Sequence, residues 1–73
     1  MQADPFTDAT GMVDTFDEAR GLGTVRADGG EVLAFHCTAI ADGSRTIAVG
    51  RPVRFRIVAG RVGRWEATGI VAL

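Results

Sequence analysis

The sequence has no lysine and no tyrosine, and only one cysteine, one histidine and one tryptophan in 73 residues. Each scarcity excludes something. A single cysteine, Cys37, permits no intrachain disulfide and no thiolate-rich metal site. A single histidine, His36, with no marked serine partner supplies no nucleophile–base–orienter set, so an enzyme is not expected. No apolar run approaches the roughly 20 residues of a membrane helix. The opening residues Met1 to Pro5 carry no basic side chain and lead into no apolar stretch, unlike a signal peptide. A cytoplasmic protein is the default expectation. The acids Asp14, Asp17 and Glu18 cluster near a glycine turn, but no loop places six oxygens around one point, so neither a metal nor a cofactor is expected.

What is present is a balanced small domain. Hydrophobic residues make up 47% and charged residues 23%, which suits a folded chain. At this length the core is marginal and one domain fills the chain. The net charge of −1 hides a division. Residues 1–42 hold eight acids and two arginines, whereas residues 43–73 hold six arginines and one acid. Arginine forks suit phosphates and carboxylates and stack on flat rings. Pairing between the two halves is the plainer reading of the same division.

The hydrophobic period is two from Gly11 onward. In 52–58, Val53, Phe55 and Ile57 alternate with Arg54 and Arg56, the pattern of a half-buried strand with Pro52 at its first position. Shorter strands are expected at 11–16, 20–27, 31–36 and 65–73. Asp28-Gly29-Gly30 marks a tight turn. A short 3₁₀ turn fits Cys37 to Ile40. In the loop from Ala41 to Gly50, Ile47 and Val49 are expected to tuck onto the core. A break in alternation between Val13 and Phe16 calls for a bulge. Residues 1–10 read as a flexible tail, and 11–73 as the domain. The fold class is all-β: a small five-stranded antiparallel barrel of the oligonucleotide/oligosaccharide-binding (OB) type, whose closure removes exposed edges.

From Gly11 to about Ile70 the order of residues resembles the cold-shock domain. The family opening G-x-V-x-W-F-N stands here as Gly11-Met12-Val13-Asp14-Thr15-Phe16-Asp17. Its first ribonucleoprotein motif, K-G-F-G-F-I, is Arg20-Gly21-Leu22-Gly23-Thr24-Val25. Its second, F-V-H-F-S-A-I, is Ala34-Phe35-His36-Cys37-Thr38-Ala39-Ile40. A G-F-K-T-L loop stands as Gly43-Ser44-Arg45-Thr46-Ile47. Near Trp65 the register slips by one residue. The resemblance implies binding of single-stranded RNA or DNA by base stacking on exposed rings, worth about 1–3 kcal/mol per base. Here the ring positions hold Thr15, Leu22, Thr24, Ala34, Cys37 and Ser44, and only His36 is kept. The implied function is therefore a divergent cold-shock-like module that binds single-stranded nucleic acid weakly. The expected contacts are His36, Trp65, the outward Leu22 and Thr24, and the arginines Arg20, Arg45, Arg61 and Arg64 along one rim.

Competing readings stay open for these residues. His36 either meets a base or is held by strand packing. Trp65 is either a relocated stacking ring or a cap on the end of the barrel. Phe16, Phe35 and Phe55 read as core, and Cys37 as a small filler. The alternative function is a protein-interaction module or homodimer that uses the patch of Leu22, Thr24, Ala34 and Cys37. No membrane partner is expected.

Overall fold

A computed structural model describes residues 7–60 and 63–73. Five strands, β1 (Thr7–Asp17), β2 (Leu22–Ala27), β3 (Val32–His36), β4 (Pro52–Ala59) and β5 (Trp65–Ala72), form a closed barrel in the order β1-β2-β3-β5-β4. Strands that alternate in direction cannot close a ring of five without one parallel pair. That pair is β3–β5, bridged at Ala34↔Glu66 and extended by an isolated bridge between Ile40 and Ile70. The other four neighbour pairs are antiparallel. A 3₁₀ turn, Cys37–Ala39, follows β3 where the short polar and small residues allow it. Among the described residues no helix is long and apolar enough to cross a membrane.

Alternation selects the core. Val13, Val25, Leu33, Phe35, Val53, Phe55, Ala67 and Ile70 are buried, drawn from all five strands, with Ala27 and Ile40 completing the set. Phe35 stacks on the half-buried Phe16, ring centroids 5.9 Å apart and nearly parallel. Phe16 can face inward because the register of β1 against β2 shifts between Val13 and Thr15, the expected bulge. Cys37 is half-buried and packs on the same core.

Two boundaries differ from the sequence reading. The expected tail extended to residue 10, but β1 begins at Thr7. Thr7 to Thr10 pair with Ile57 to Arg54 of β4. Ala9 packs on the core between the exposed Asp8 and Thr10, and Asp8 lies opposite Arg56, so the two-residue alternation is present but concealed by its weak hydrophobicity. Residues 1–6, including the rest of that expected tail, lie outside the described residues. In the loop, Ile47 packs on the core as expected, but Val49 is 62% exposed. Val49 stands in the turn closed by the Arg51 amide on the Ala48 carbonyl, which aims it away from the barrel.

Gly23 shows how tightly β2 lies on the core. It is buried, and a Cβ there would come within 2.5 Å of the Thr15 carbonyl oxygen and 2.7 Å of the Phe35 ring. Neither neighbour is a flexible chain end. Gly29, in the β2–β3 turn, would meet nothing within 4 Å. The pair makes a matched test. Gly23→Ala is expected to cost about 3 kcal/mol by overpacking. Gly29→Ala is expected to be neutral or to stabilise by up to about 1 kcal/mol through the unfolded chain. Urea unfolding of both variants reads the difference, and equal midpoints would contradict this packing.

Candidate nucleic-acid interface

The outer wall of β1, β2 and β3 is built by the residues that alternate with the core. In β2, Leu22, Thr24 and Arg26 face out while Gly23, Val25 and Ala27 are buried. In β3, Val32, Ala34 and His36 are exposed while Leu33 and Phe35 are buried. Register then sets the rows across the wall. Asp17, Leu22 and His36 form one row, Thr15, Thr24 and Ala34 the next, and Met12, Arg26 and Val32 the third.

The middle row is a small hydroxyl surface. Thr15 Oγ1 and Thr24 Oγ1 lie 2.7 Å apart in a hydrogen bond, so each hydroxyl uses part of its capacity on the other. The flanking rows carry exposed aliphatic groups: Leu22, 39% exposed, in the middle of one, and Met12, 49%, and Val32, 50%, at the two edges of the other. His36 stands beside Leu22 at the end of β3. The wall thus offers one imidazole, short hydroxyls and isolated aliphatic groups. Arg26 adds a cation to it, 3.6 Å from the Asp14 carboxylate. Arg26, Met12 and Val32 were missing from the sequence-derived contact set. The alternation Leu22-Thr24-Arg26 carries the signal for Arg26, because the third residue must share the face of the first two.

The arginines do not share one rim. Arg20 lies in the β1–β2 turn, with its side chain 77% exposed and 3.9 Å from Asp17. Arg45 lies in the 41–51 loop in the left-handed region, φ 63°. The Thr46 hydroxyl donates to Glu18 Oε2 at 2.9 Å, which ties that loop to the β1–β2 turn and brings Arg20 and Arg45 to one end of the barrel. Arg64 precedes β5 at the opposite end, its carbonyl accepting the Gly60 amide at 2.6 Å. The reason is strand direction. Successive antiparallel strands put the β1–β2 turn and the β4–β5 turn at opposite ends. Arg61 lies outside the described residues.

Trp65 is 62% exposed, so it does not fill the barrel end as a cap. It opens β5 directly before Glu66, the residue bridged to Ala34. This places it beside the β3–β5 seam, at the border of the wall and toward the Arg64 end. His36 lies toward the other end of β3. The two side chains therefore flank the wall and do not form one cluster.

The loop near Arg45 is braced by Asp42, whose carboxylate accepts the Ser44 amide at 2.9 Å. That backbone hydrogen bond, aided by the Ser44 side chain, holds the Asp42 carboxyl below the usual carboxylate range. A lowered value means the charged form favours the folded loop. This contribution is present above the ordinary value of 3.8 and fades as pH falls through the lowered one. Among the described residues no three His, Cys, Asp or Glu side chains come together as a metal site.

The sequence model of the "'Cold-shock' DNA-binding domain" matches residues 9–73. The chain is similar to cold shock-like protein CspG of Shewanella violacea, 38% identical over 66 residues that cover 88% of this chain and 93% of that protein. It is also similar to cold shock-like protein CspA of Stigmatella aurantiaca, 39% identical over 57 residues that cover 75% and 84% of the two chains. Among solved structures, Drosophila Unr CSD456 superposes with a TM-score of 0.75 at 28% identity, covering 92% of this chain and 27% of that one.

The exposure of Trp65 is open to a direct check. Its fluorescence emission in the folded state is expected near that of the urea-unfolded chain, with acrylamide quenching close to the unfolded value. A blue-shifted, protected emission would mean that the ring is packed.

Proposed function

Because this chain belongs to the cold-shock domain family, a nucleic-acid-binding family, we propose that it binds single-stranded RNA or DNA weakly through the outer wall of β1, β2 and β3. Leu22, Thr24 and His36 form the centre of the contact. Arg20 and Arg45 hold phosphates at one end, while Trp65 and Arg64 serve the other. The observation that carries this reading is the register that sets Thr15, Thr24 and Ala34 in one row beside Leu22 and His36. That row occupies the wall where the family's stacking rings are expected.

The chemistry follows from what replaced the rings. Each missing stack removes about 1–3 kcal/mol per base, though not additively. What remains is one imidazole, one exposed indole and a set of solvated guanidinium groups. Arg20 is only loosely compensated by Asp17, because an exposed pair at 3.9 Å is screened. Affinity carried by such groups depends steeply on salt, with a slope of about −0.7 per phosphate contact for a single strand. Sequence preference is low, since few polar groups of the wall are free to read base edges.

A second reading is supported by the exposed Met12, Leu22 and Val32 around Ala34. This is a protein contact or homodimer through the same wall, with Cys37 contributing little because it is half-buried.

Fluorescence anisotropy of a labelled pyrimidine-rich oligonucleotide separates the two. The expected result is binding in the tens of micromolar at low salt, lost as salt rises. Leu22→Phe with Thr24→Phe is expected to tighten it by roughly tenfold or more, since one added stack is worth about 1–3 kcal/mol. If neither the natural chain nor the ring-bearing variant binds, and sedimentation shows a concentration-dependent dimer, the interaction reading replaces this one.

A further inference from the structure

The opposite wall of the barrel carries a feature that the contacts above do not use. Arg54 and Arg56 alternate along β4 with the buried Val53 and Phe55, so both guanidinium groups project from the outer face of β4 and β5. Residues two apart on a strand are separated by roughly 6.7 Å, a spacing close to that of successive phosphates on an extended strand. Against them β5 is bulged. Arg54 pairs with Val71 and Arg56 with Thr68, so β5 advances three residues while β4 advances two. The accommodating residue is Gly69, at φ +59°, a conformation that side-chain-bearing residues rarely adopt. Ile70 next to it is fully buried, which anchors the bulge to the core.

The bulge opens a shallow groove of about 320 Å³ lined by Asp8, Arg54, Arg56, Thr68, Gly69 and Val71. A Cβ on Gly69 would meet no atom within 4 Å, so the space above the backbone there is open. Among the described residues, Arg54 has no carboxylate within ion-pair distance, whereas Arg56 Nε lies 3.6 Å from Asp8 Oδ1. Among the described residues that line it, the groove holds two guanidinium groups and one carboxylate. Asp8 acts as an internal competitor for any anion that enters.

We infer that this groove is a second anion site, which takes successive phosphates of a phosphodiester or polyphosphate chain between Arg54 and Arg56. The ligand class follows from the site. It has forked donors spaced along a strand, a threonine hydroxyl at the side and a floor of bare backbone, and the one aromatic residue that lines it, Phe55, is only 1% exposed and so offers no face on which a base would stack. β1 is shared between the two walls: its first half pairs with β4 and its second half with β2. A strand leaving the β1–β2–β3 wall can pass around β1 and lay its backbone in the groove. The identity of the chain as nucleic acid rests on the function proposed above, whereas the anion site does not.

Two measurements keep these apart. In the first, ¹⁵N–¹H spectra are recorded during titration with inorganic tripolyphosphate. Amide shifts are expected at Arg54, Arg56, Thr68 and Gly69, abolished by Arg54→Ala and enlarged by Asp8→Asn. Shifts that are absent, or that fall elsewhere on the barrel, overturn the site. In the second, anisotropy is compared for labelled oligonucleotides of about 6 and about 20 nucleotides. Replacing both arginines with alanine is expected to weaken the longer strand by about three- to tenfold. Its salt slope is expected to fall by about 1.4, and the shorter strand to be unaffected. Equal loss for both lengths, or for neither, overturns the backbone role even where tripolyphosphate binds. Because Arg54 and Arg56 are exposed, the variants are expected to keep the unfolding midpoint of the natural chain, which thermal melting verifies.

Discussion

The close approach of the Phe35 ring to the backbone of Gly23 is the constraint on which the barrel depends. Two aromatic rings, Phe35 and Phe55, are the largest side chains of the buried core, and the Phe35 ring needs a neighbouring strand with nothing on its inner face at that point. Gly23 supplies the space, and Phe16 closes the other side of the ring by stacking. The bulge in β1 exists to deliver Phe16, since strict alternation from Val13 would have turned it outward. With these three residues in place, β1, β2 and β3 can lie flat on the core. The period of two then determines every outward position.

That arrangement separates the scaffold from its surface. Leu22, Thr24, Ala34 and His36 contribute little to the interior, because the buried residues between them do the packing. Their chemistry can change without disturbing the strands. The wall presents hydroxyl and aliphatic groups, and the Thr15–Thr24 hydrogen bond satisfies part of that hydroxyl capacity within the protein. Such a surface gains little from desolvating a base. On the proposed function, the same fold would carry binding whose main contribution comes from charge instead of stacking.

Much of this was legible in the sequence, and the exceptions have common causes. Strand positions followed from alternation wherever the inward residues were large, as in 52–58. Residues 7–10 escaped because their core-packed residue, Ala9, is too small to mark a period, and their strand character comes from pairing with β4. The placement of Leu22 and Thr24 on the outer face needed only the period. The grouping of Arg20, Arg45, Arg61 and Arg64 on one rim needed strand direction, which no local pattern carries. Trp65 illustrates the same gap. A lone tryptophan at a strand start is compatible with a barrel cap, and only the closing β3–β5 pair shows that the core is already filled by Phe35, Ala67 and Ile70. The bulge at Gly69 is likewise a property of two strands together, and it produces the groove beside Arg54.

Charge organisation ties these observations together. The acid-rich first half and arginine-rich second half meet through Arg56 and Asp8, but Arg20 and Arg26 find their acids within the first half. Among the described residues, Arg54, Arg45 and Arg64 have no carboxylate partner within 4 Å and stand on the surface. Exposed pairs of this kind add about 0–1 kcal/mol each to stability. Their larger effect is on long-range attraction, since solvated cations on both walls and both ends surround the barrel with sites for a flexible polyanion. On the function proposed above, dispersed arginines around a weak platform make affinity grow with the length of the strand in contact. A ring-bearing platform saturates after a few bases.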